Sequence, residues 1–169
     1  MISGKLQDAI NDQITFEIAS GIIYKAMAAY FASEDLPGFA SWMETQYKEE
    51  LFHSEKLAAY VNDAGGRVRY LAMPAPENDY DSPLHAFRAA LEHEQLVTSR
   101  INKLMSIAKD ENDFAAQICL QWFITEQVEE EASFGQIIAE LKRIEGDGRG
   151  LIMLDRELGQ RTFTPPAGE

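Results

Sequence analysis

The sequence contains only one cysteine, Cys119, and only three histidines among its 169 residues. A lone cysteine excludes an intrachain disulfide framework and any metal site built from four cysteines. Because Cys119 lies within an apolar helical pattern, we expect it to be a buried thiol that takes no part in chemistry.

Positive charge is also scarce, since 15 Lys and Arg residues stand against 28 Asp and Glu residues, for a net charge of −13. Nucleic acid and anionic membranes both attract clustered Lys and Arg, so this balance argues against either as a partner. No segment approaches the roughly 20 apolar residues of a membrane-spanning helix. The first ten residues, MISGKLQDAI, lack the continuous apolar region of a signal peptide, and we therefore expect a cytoplasmic protein.

The composition that remains is that of an ordinary globular domain, with 46% apolar and 25% charged residues. Apolar residues recur at helical spacing in four long segments and one short one, which predicts an all-α fold. The four long helices are expected at about residues 4–33, 38–64, 83–108 and 113–144.

A short amphipathic segment, Leu151 to Leu158, is predicted to form a fifth helix. The tail that follows contains Pro165 and Pro166 and is not expected to be helical. We assign residues 1–145 to the four-helix bundle, and residues 146–169 to the fifth helix and tail of the same single domain.

The lengths of the connections predict how the helices are arranged. Short loops, EDLPG and KDEND, join the first helix to the second and the third to the fourth, so each pair is antiparallel. Helices of about 28 residues are roughly 42 Å long, and residues 65–82 can span roughly 55 Å. That connection can cross the whole bundle, which gives the ferritin-like arrangement of four helices with one long crossover. An up-and-down bundle with a loose loop is the alternative.

Polar side chains interrupt the apolar stripe of every long helix close to its midpoint. Helices of similar length that pack side by side bring their midpoints into one layer, whichever way each helix runs. The six residues that should meet there are Glu17, Glu50, His53, Glu94, Gln127 and Glu130.

Four buried carboxylates cannot remain ionised together without a counter-charge, because each raises the pKa of the others. The stripes carry no Lys or Arg at this height, so a bound metal is the simplest solution, and the charge is sufficient for two divalent ions. Oxygen ligands with one imidazole suit iron, and suit manganese or zinc less specifically. A structural helical oligomer whose carboxylates share protons or bind zinc is the non-enzymatic alternative.

Three further glutamates, Glu49, Glu126 and Glu129, each lie one position from a residue of this layer. They form either a solvated acidic rim or an accessory cation site. Tyr24 lies two turns from Glu17, where it is either a core aromatic or a partner of the site. Trp122 poses the same choice beside Glu126.

The remaining histidines, His85 and His93, lie off the apolar stripes, and we expect them at a surface or an interface.

The chain resembles a bacterial non-haem ferritin over nearly its whole length. The resemblance is carried by Glu17, by EELFH from Glu49, by HE ending at Glu94, by EQVEE from Glu126 and by the terminal GLIMLDREL. It implies a ferroxidase centre in which Glu17, Glu50 and His53 hold a first iron, with Glu50 bridging.

The same resemblance implies roles for the other polar residues. Glu94 and Glu130 would hold the second iron, with Gln127 beside it, and Tyr24 would be the tyrosine next to the centre. A third iron site would be formed by Glu49, Glu126, Glu129 and Glu130. The assembly implied is a hollow homo-oligomeric shell of 24 subunits that oxidises Fe(II) with O2 or H2O2 and stores a ferric mineral, with residues 151–158 lining its four-fold channels.

Two departures distinguish this chain from related families. Bacterioferritins and rubrerythrins have a second Glu-x-x-His on the fourth helix, whereas this chain has Gln127-Val-Glu-Glu130. Leu51 stands where bacterioferritins have their haem-ligating methionine, so no haem is expected. A bacterioferritin-like haem protein, and a soluble di-iron oxidase or peroxidase of the rubrerythrin type, are the alternatives.

Overall fold

Five α-helices make up the regular structure of residues 1–165, the part of the chain that this computed structural model describes. They are α1 (Gly4–Ser33), α2 (Pro37–Asp63), α3 (Pro83–Asp110), α4 (Phe114–Arg143) and α5 (Gly148–Leu158). The four long helices agree with the sequence prediction to within two residues at each end. The fifth begins three residues earlier than predicted, because the Asp147 side chain accepts a hydrogen bond from the Arg149 amide and starts the helix there.

Helix starts follow local capping chemistry at the positions that the sequence indicates. The Ser3 hydroxyl accepts a hydrogen bond from the Leu6 amide, and the Ser82 hydroxyl accepts one from the His85 amide, both at 3.1 Å. Pro83 occupies the first turn of α3, where its missing amide proton costs no hydrogen bond. Residues 161–165 have no regular secondary structure, as predicted for the tail, and Pro166 lies outside the described residues.

The long connection between α2 and α3 crosses the whole bundle. It leaves α2 beside the start of α1, where the Arg67 amide donates to the Gln7 side chain. It then follows α1, with the Leu71 amide donating to Thr15, and it reaches the far end where the ring of Tyr80 lies 5.3 Å from that of Tyr30. Helix α3 therefore starts at the opposite end of the bundle and runs parallel to α2. The predicted ferritin-like topology is confirmed, and the up-and-down alternative is wrong.

The apolar core is divided into two parts along the bundle axis. One part centres on Phe31, Phe39 and Phe87 and also holds buried residues of α4 and α5. The other is built around Leu6, Ile10 and the apolar residues of α3 and α4 that pack on them. The polar residues of the helix midpoints lie between the two. Within the described residues, no helix is both long and apolar enough to cross a membrane.

Candidate metal centre

All four long helices contribute polar side chains to the layer that separates the two apolar parts. These side chains come from α1, α2, α3 and α4, and each residue is at most 4% exposed: Glu17, Glu50, His53, Glu94, Gln127 and Glu130. The layer therefore lies inside the subunit, as the positions of these residues on their helices predict.

The first cluster joins α1 to α2. Glu17, Glu50 and His53 each offer one ligand atom, and these atoms lie within 4.8 Å of one another. Glu50 and His53 are one turn apart on α2, with Nδ1 of the imidazole 3.5 Å from a Glu50 carboxylate oxygen. The Oε2 atoms of Glu17 and Glu50 are buried and have no hydrogen-bond partner. A cation bound by these two oxygens and the imidazole would supply the partners that the oxygens lack.

The second cluster joins α2 to α4. His53, Glu126 and Glu130 also offer ligand atoms within 4.8 Å of one another. Glu126 is only partly buried, whereas His53 and Glu130 are buried, so this cluster connects the interior of the subunit with its surface. His53 belongs to both clusters and therefore lies between two possible cation positions.

Glu94 is held by hydrogen bonds from two other helices. The Tyr24 hydroxyl of α1 donates to Oε1 of Glu94, and Nε2 of Gln127 donates to Oε2 at 3.0 Å. Burial and the neighbouring carboxylates raise the pKa of Tyr24 well above its ordinary value, so its hydroxyl stays protonated and remains a donor. The structure thus places Tyr24 in contact with the polar layer, on the carboxylate of α3.

Burial raises the pKa of every carboxyl group in the layer. The pKa of Glu17 rises to about 7, chiefly through loss of solvent. The pKa values of Glu50 and Glu130 are raised well above the ordinary range by burial and then by the charge of Glu94, and burial also raises that of Glu94. These shifts express the cost of gathering four carboxylates in a dry space without a cation.

The imidazole of His53 is shifted in the opposite direction. Burial lowers its pKa to about 4, so at neutral pH the ring is uncharged and keeps a lone pair for a metal. One neutral imidazole among several carboxylates is a donor set typical of first-row divalent metals such as iron. The residues present therefore fit a metal ion.

The three outlying glutamates have different surroundings. Glu126 belongs to the second cluster, and Glu129 is exposed on the adjoining face of α4. Glu49 forms an ion pair with Arg161, 2.5 Å between Oε2 and Nη2. Of the two alternatives, an accessory cation site is favoured for Glu126 by its shared position with His53 and Glu130.

Trp122 contacts the polar layer, and Cys119 is less buried than predicted. Trp122 packs edge-on against His53, with ring centroids 5.4 Å apart. Cys119 is half-buried, not fully buried, and burial still raises its thiol pKa to about 11.

The two remaining histidines differ from each other. His85 is exposed, as predicted. His93 is half-buried within the subunit, and its position at a surface or an interface stays a prediction. Its ring stacks on Phe16 at 5.2 Å and Nε2 lies 2.7 Å from the Ser20 hydroxyl, because that side of α3 faces α1.

Sequence reasoning missed the residues that surround the carboxylates. Gln13 donates to Glu17 at 2.9 Å, and its own amide oxygen accepts from Arg100 at 2.8 Å. Gln46 donates to Glu130 at 2.6 Å, and its amide oxygen accepts from Arg161 at 2.6 Å. The apolar stripes carry no cations at this height, yet two guanidinium groups reach the layer through glutamine amides. Gln46 lies on the buried stripe of α2, and that position was its only signal in the sequence.

Comparison with known proteins agrees with this architecture. Residues 7–144 match the ferritin family, described as a ferritin-like domain. A bacterial non-heme ferritin of Staphylococcus aureus (strain MRSA252) is 43% identical over 163 residues, which cover 96% of this chain and 98% of that protein. The corresponding protein of Staphylococcus haemolyticus (strain JCSC1435) is 40% identical over the same length and coverage.

Solved structures give the same result. An engineered closed form of the Archaeoglobus fulgidus ferritin superposes with a TM-score of 0.96 at 46% identity, covering 97% of this chain and all of that one. The open pore ferritin of the same archaeon superposes with a TM-score of 0.94 at 46% identity, covering 96% of this chain and 99% of that one. The match along the sequence and the match of the fold coincide, and this chain belongs to the ferritin family.

Proposed function

We propose that this protein is an iron-storage ferritin that oxidises Fe(II) at a di-iron centre within each subunit. The observation that carries the proposal is the buried layer itself, with unpartnered oxygens on Glu17 and Glu50 beside the neutral imidazole of His53. The relatives named bacterial non-heme ferritin support it. Glu17, Glu50 and His53 are proposed to bind one Fe(II), and Glu50, Glu94 and Glu130 the other, with Gln127 beside them.

The chemistry follows from placing two one-electron donors side by side. Two Fe(II) ions supply the two electrons that convert O2 and two protons into H2O2, or that convert H2O2 and two protons into two water molecules. Ionised carboxylates stabilise the Fe(III) product more than Fe(II), because hard anionic oxygens favour the higher charge. Binding of Fe(II) also releases the protons that the raised carboxyl pKa values retain in the empty site. The hydrogen bond from the Tyr24 hydroxyl holds the Glu94 carboxyl group in place.

The product is proposed to leave through the second cluster. Glu126 is partly buried beside the buried His53, and its charge interacts with those of Glu49 and Glu129. These residues, with Glu130, are the proposed accessory site, and ferric ions would pass over it toward a mineral inside a hollow shell of 24 subunits. The cytoplasmic location stays a prediction. The absence of haem, expected from Leu51 and Gln127, also stays a prediction.

Stopped-flow absorbance provides the test. The apo-protein is mixed with two Fe(II) per subunit in air, and formation of Fe(III) is followed in the near ultraviolet. His53→Ala and Glu130→Ala should each slow the fast phase at least about tenfold, because each removes a proposed ligand.

His85→Ala is the matched control, since His85 is exposed and lies outside the layer. Its oxidation rate should equal that of the native protein. Unchanged rates in both His53→Ala and Glu130→Ala would show that the buried layer is not where iron is oxidised.

A further inference from the structure

Arg161 brings a positive charge from the end of the chain to the acidic side of the polar layer. Its Nη1 donates to the Gln46 amide oxygen at 2.6 Å, and its Nη2 donates to the Glu49 carboxylate at 2.5 Å. The side chains of Arg161 and Glu49 are 25% and 15% exposed, so the ion pair is largely shielded from water. Such a pair is stronger than one on an open surface.

The guanidinium is fixed by a third contact on α2. Its central carbon lies 4.3 Å from the centre of the Trp42 ring, the arrangement of a cation over an aromatic face. Trp42, Gln46 and Glu49 follow one another at helical spacing, so they form a single face of α2. Two residues further along the chain, the ring of Phe163 lies 6.0 Å from that of Phe52 on the same helix. Residues 161–163 therefore lie along α2 from Trp42 to Phe52.

The charge of Arg161 is felt by several of the proposed accessory ligands. Burial raises the pKa of Glu49 and of Glu126, and Arg161 acts against that rise in both. The pKa of Glu130 is raised by burial and by neighbouring carboxylates, and Arg161 again opposes the rise. The guanidinium thus gives the Glu49 carboxylate a positive partner at 2.5 Å, as a cation at the accessory site would do.

We propose that Arg161 is a positioning residue that holds Glu49 in an ion pair while the accessory site is empty and yields Glu49 to a metal cation when the site fills. The guanidinium and the cation compete for the same carboxylate, since the oxygen that accepts from Nη2 cannot also ligate a metal at full strength. The inference rests on the proposed iron-handling function, because it assigns Glu49, Glu126 and Glu130 to a cation site.

The competition has a consequence for the end of the chain. Arg161 anchors residues 161–163, so a cation that takes Glu49 from Arg161 weakens their hold on α2. By thermodynamic linkage, detaching these residues strengthens cation binding by the same factor. Filling of the accessory site is therefore coupled to release of this segment.

Zinc provides a probe of this competition that does not undergo oxidation. Isothermal titration of Zn²⁺ into the metal-free assembled protein should show tight binding at the buried centre followed by a weaker accessory phase. In Arg161→Gln, the Kd of the accessory phase should fall by about fivefold, the factor expected of one partly buried ion pair. Arg161→Lys keeps the charge without the paired N–H groups, and its Kd should lie between the two.

Arg156→Gln is the matched control, since Arg156 is exposed on α5 and its replacement makes the same change in net charge. Its accessory phase should match that of the native protein. If the accessory Kd of Arg161→Gln equals that of Arg156→Gln, or is higher than that of the native protein, the proposed competition between Arg161 and the cation is overturned. If native protein and variants alike fail to bind Zn²⁺ even at the buried centre, it is the proposed function that fails.

Hydrogen exchange on the native protein gives a second measurement that needs no variant. The amides of Gln160 and Arg161 donate to the Glu157 and Leu158 carbonyls, and they should exchange at least about threefold faster when Zn²⁺ saturates both phases than when it fills only the tight sites. Exchange that is unchanged or slowed by the second phase would contradict displacement of Arg161, whether or not Arg161→Gln assembles normally.

Discussion

Two buried glutamines, Gln13 and Gln46, decide how the nearest carboxylates are presented to a cation. A guanidinium group can only donate hydrogen bonds, so the amide oxygen of each glutamine must face its arginine and the NH2 group must face the carboxylate. Gln13 accordingly donates to Oε1 of Glu17, which leaves Oε2 without a partner. Each arginine–glutamine pair therefore fixes one oxygen of a carboxylate by a hydrogen bond and gives that carboxylate a defined orientation.

Glu17 gives the metal-free protein a specific dependence on pH. Its pKa is about 7 in the folded chain against an ordinary value of 4.5, so between these pH values the folded chain retains a proton that the unfolded chain has lost. Stability therefore decreases as pH rises through this window and does not change further above pH 7 on this account. Glu17→Gln cannot ionise, so its advantage in Tm over the native protein should grow by a few degrees between pH 4.5 and 7.

Calorimetry of both proteins in EDTA at pH 5, 6, 7 and 8 measures this difference. His53, whose folded pKa of about 4 lies below its ordinary 6.5, loses stability as pH falls from 6.5 to 4, but it does so in both proteins and cancels. A Tm difference that stays constant from pH 5 to 7 would mean that Glu17 is already ionised in the folded, metal-free chain.

For individual residues, the sequence predicts which polar side chains are buried better than it predicts their hydrogen-bond and ion-pair partners. Glu50 and Glu94 could be found because each interrupts an apolar helical stripe, and the stripe determines which way the side chain points. Arg161 carries no such signal, since it lies in a segment without secondary structure and meets Glu49 across more than a hundred residues. The contact of His93 with α1 was not predicted either, because the apolar stripe describes contact with the bundle axis and not with the neighbouring helix.

Helix α2 begins without a capping side chain of its own, and α5 provides one instead. Leu36 occupies the N-cap position and makes no side-chain hydrogen bond. The buried carboxylate of Asp155 accepts from the Gly38 and Phe39 amides at 2.7 and 3.0 Å. A Cβ atom on Gly38 would lie 1.6 Å from the Asp155 carbonyl oxygen, so glycine is what allows this close approach. The carboxylate also suits the positive end of the α2 dipole.

Asp155→Ala should therefore destabilise the protein and loosen α5. Loss of a cap that serves two amides costs about 1–2 kcal/mol, which lowers Tm by several degrees. Hydrogen exchange should accelerate at the amides of Gly38 and Phe39 and through α5, and calorimetry should record the lower Tm.

Glu157→Ala is the control for Asp155→Ala, because Glu157 is exposed on the same helix. This variant removes a carboxylate of equal charge, and it should leave both Tm and the rates of hydrogen exchange unchanged. Equal stabilities for the two variants would show that the hydrogen bonds of Asp155 contribute nothing to the attachment of α5.

Helices and their connections were predictable for a simple physical reason. Apolar periodicity, Ser3 and Ser82 as caps, and the reach of residues 65–82 are all properties of local sequence and chain length. The position of α5 was not predictable, because it depends on hydrogen bonds between Asp155 and the backbone of α2, more than a hundred residues away in the chain. No periodic pattern records such a contact.

The whole molecule exposes large apolar side chains that a single subunit leaves in water. In α5 these are Ile152 and Met153, at 53% and 71% exposure, on the side away from the buried Leu154 and Leu158. In the long connection they are Tyr70, Leu71 and Met73. With a net charge of −13, copies of this chain repel one another at long range. The shell proposed above would therefore be held together by apolar contacts such as these.

Met153 offers the sharpest test of that requirement. Met153→Glu adds a charge to an exposed apolar site without touching the buried face of α5, so the subunit should keep its helical circular dichroism and its buried polar layer. The proposed shell predicts a large native particle, and sedimentation velocity of Met153→Glu should show smaller oligomers in its place, because a carboxylate is costly to bury at a subunit contact. Met153→Leu keeps an apolar side chain of similar size and should sediment like the native protein. A Met153→Glu protein that retains the native sedimentation coefficient would place the exposed face of α5 outside the contacts that hold the assembly together.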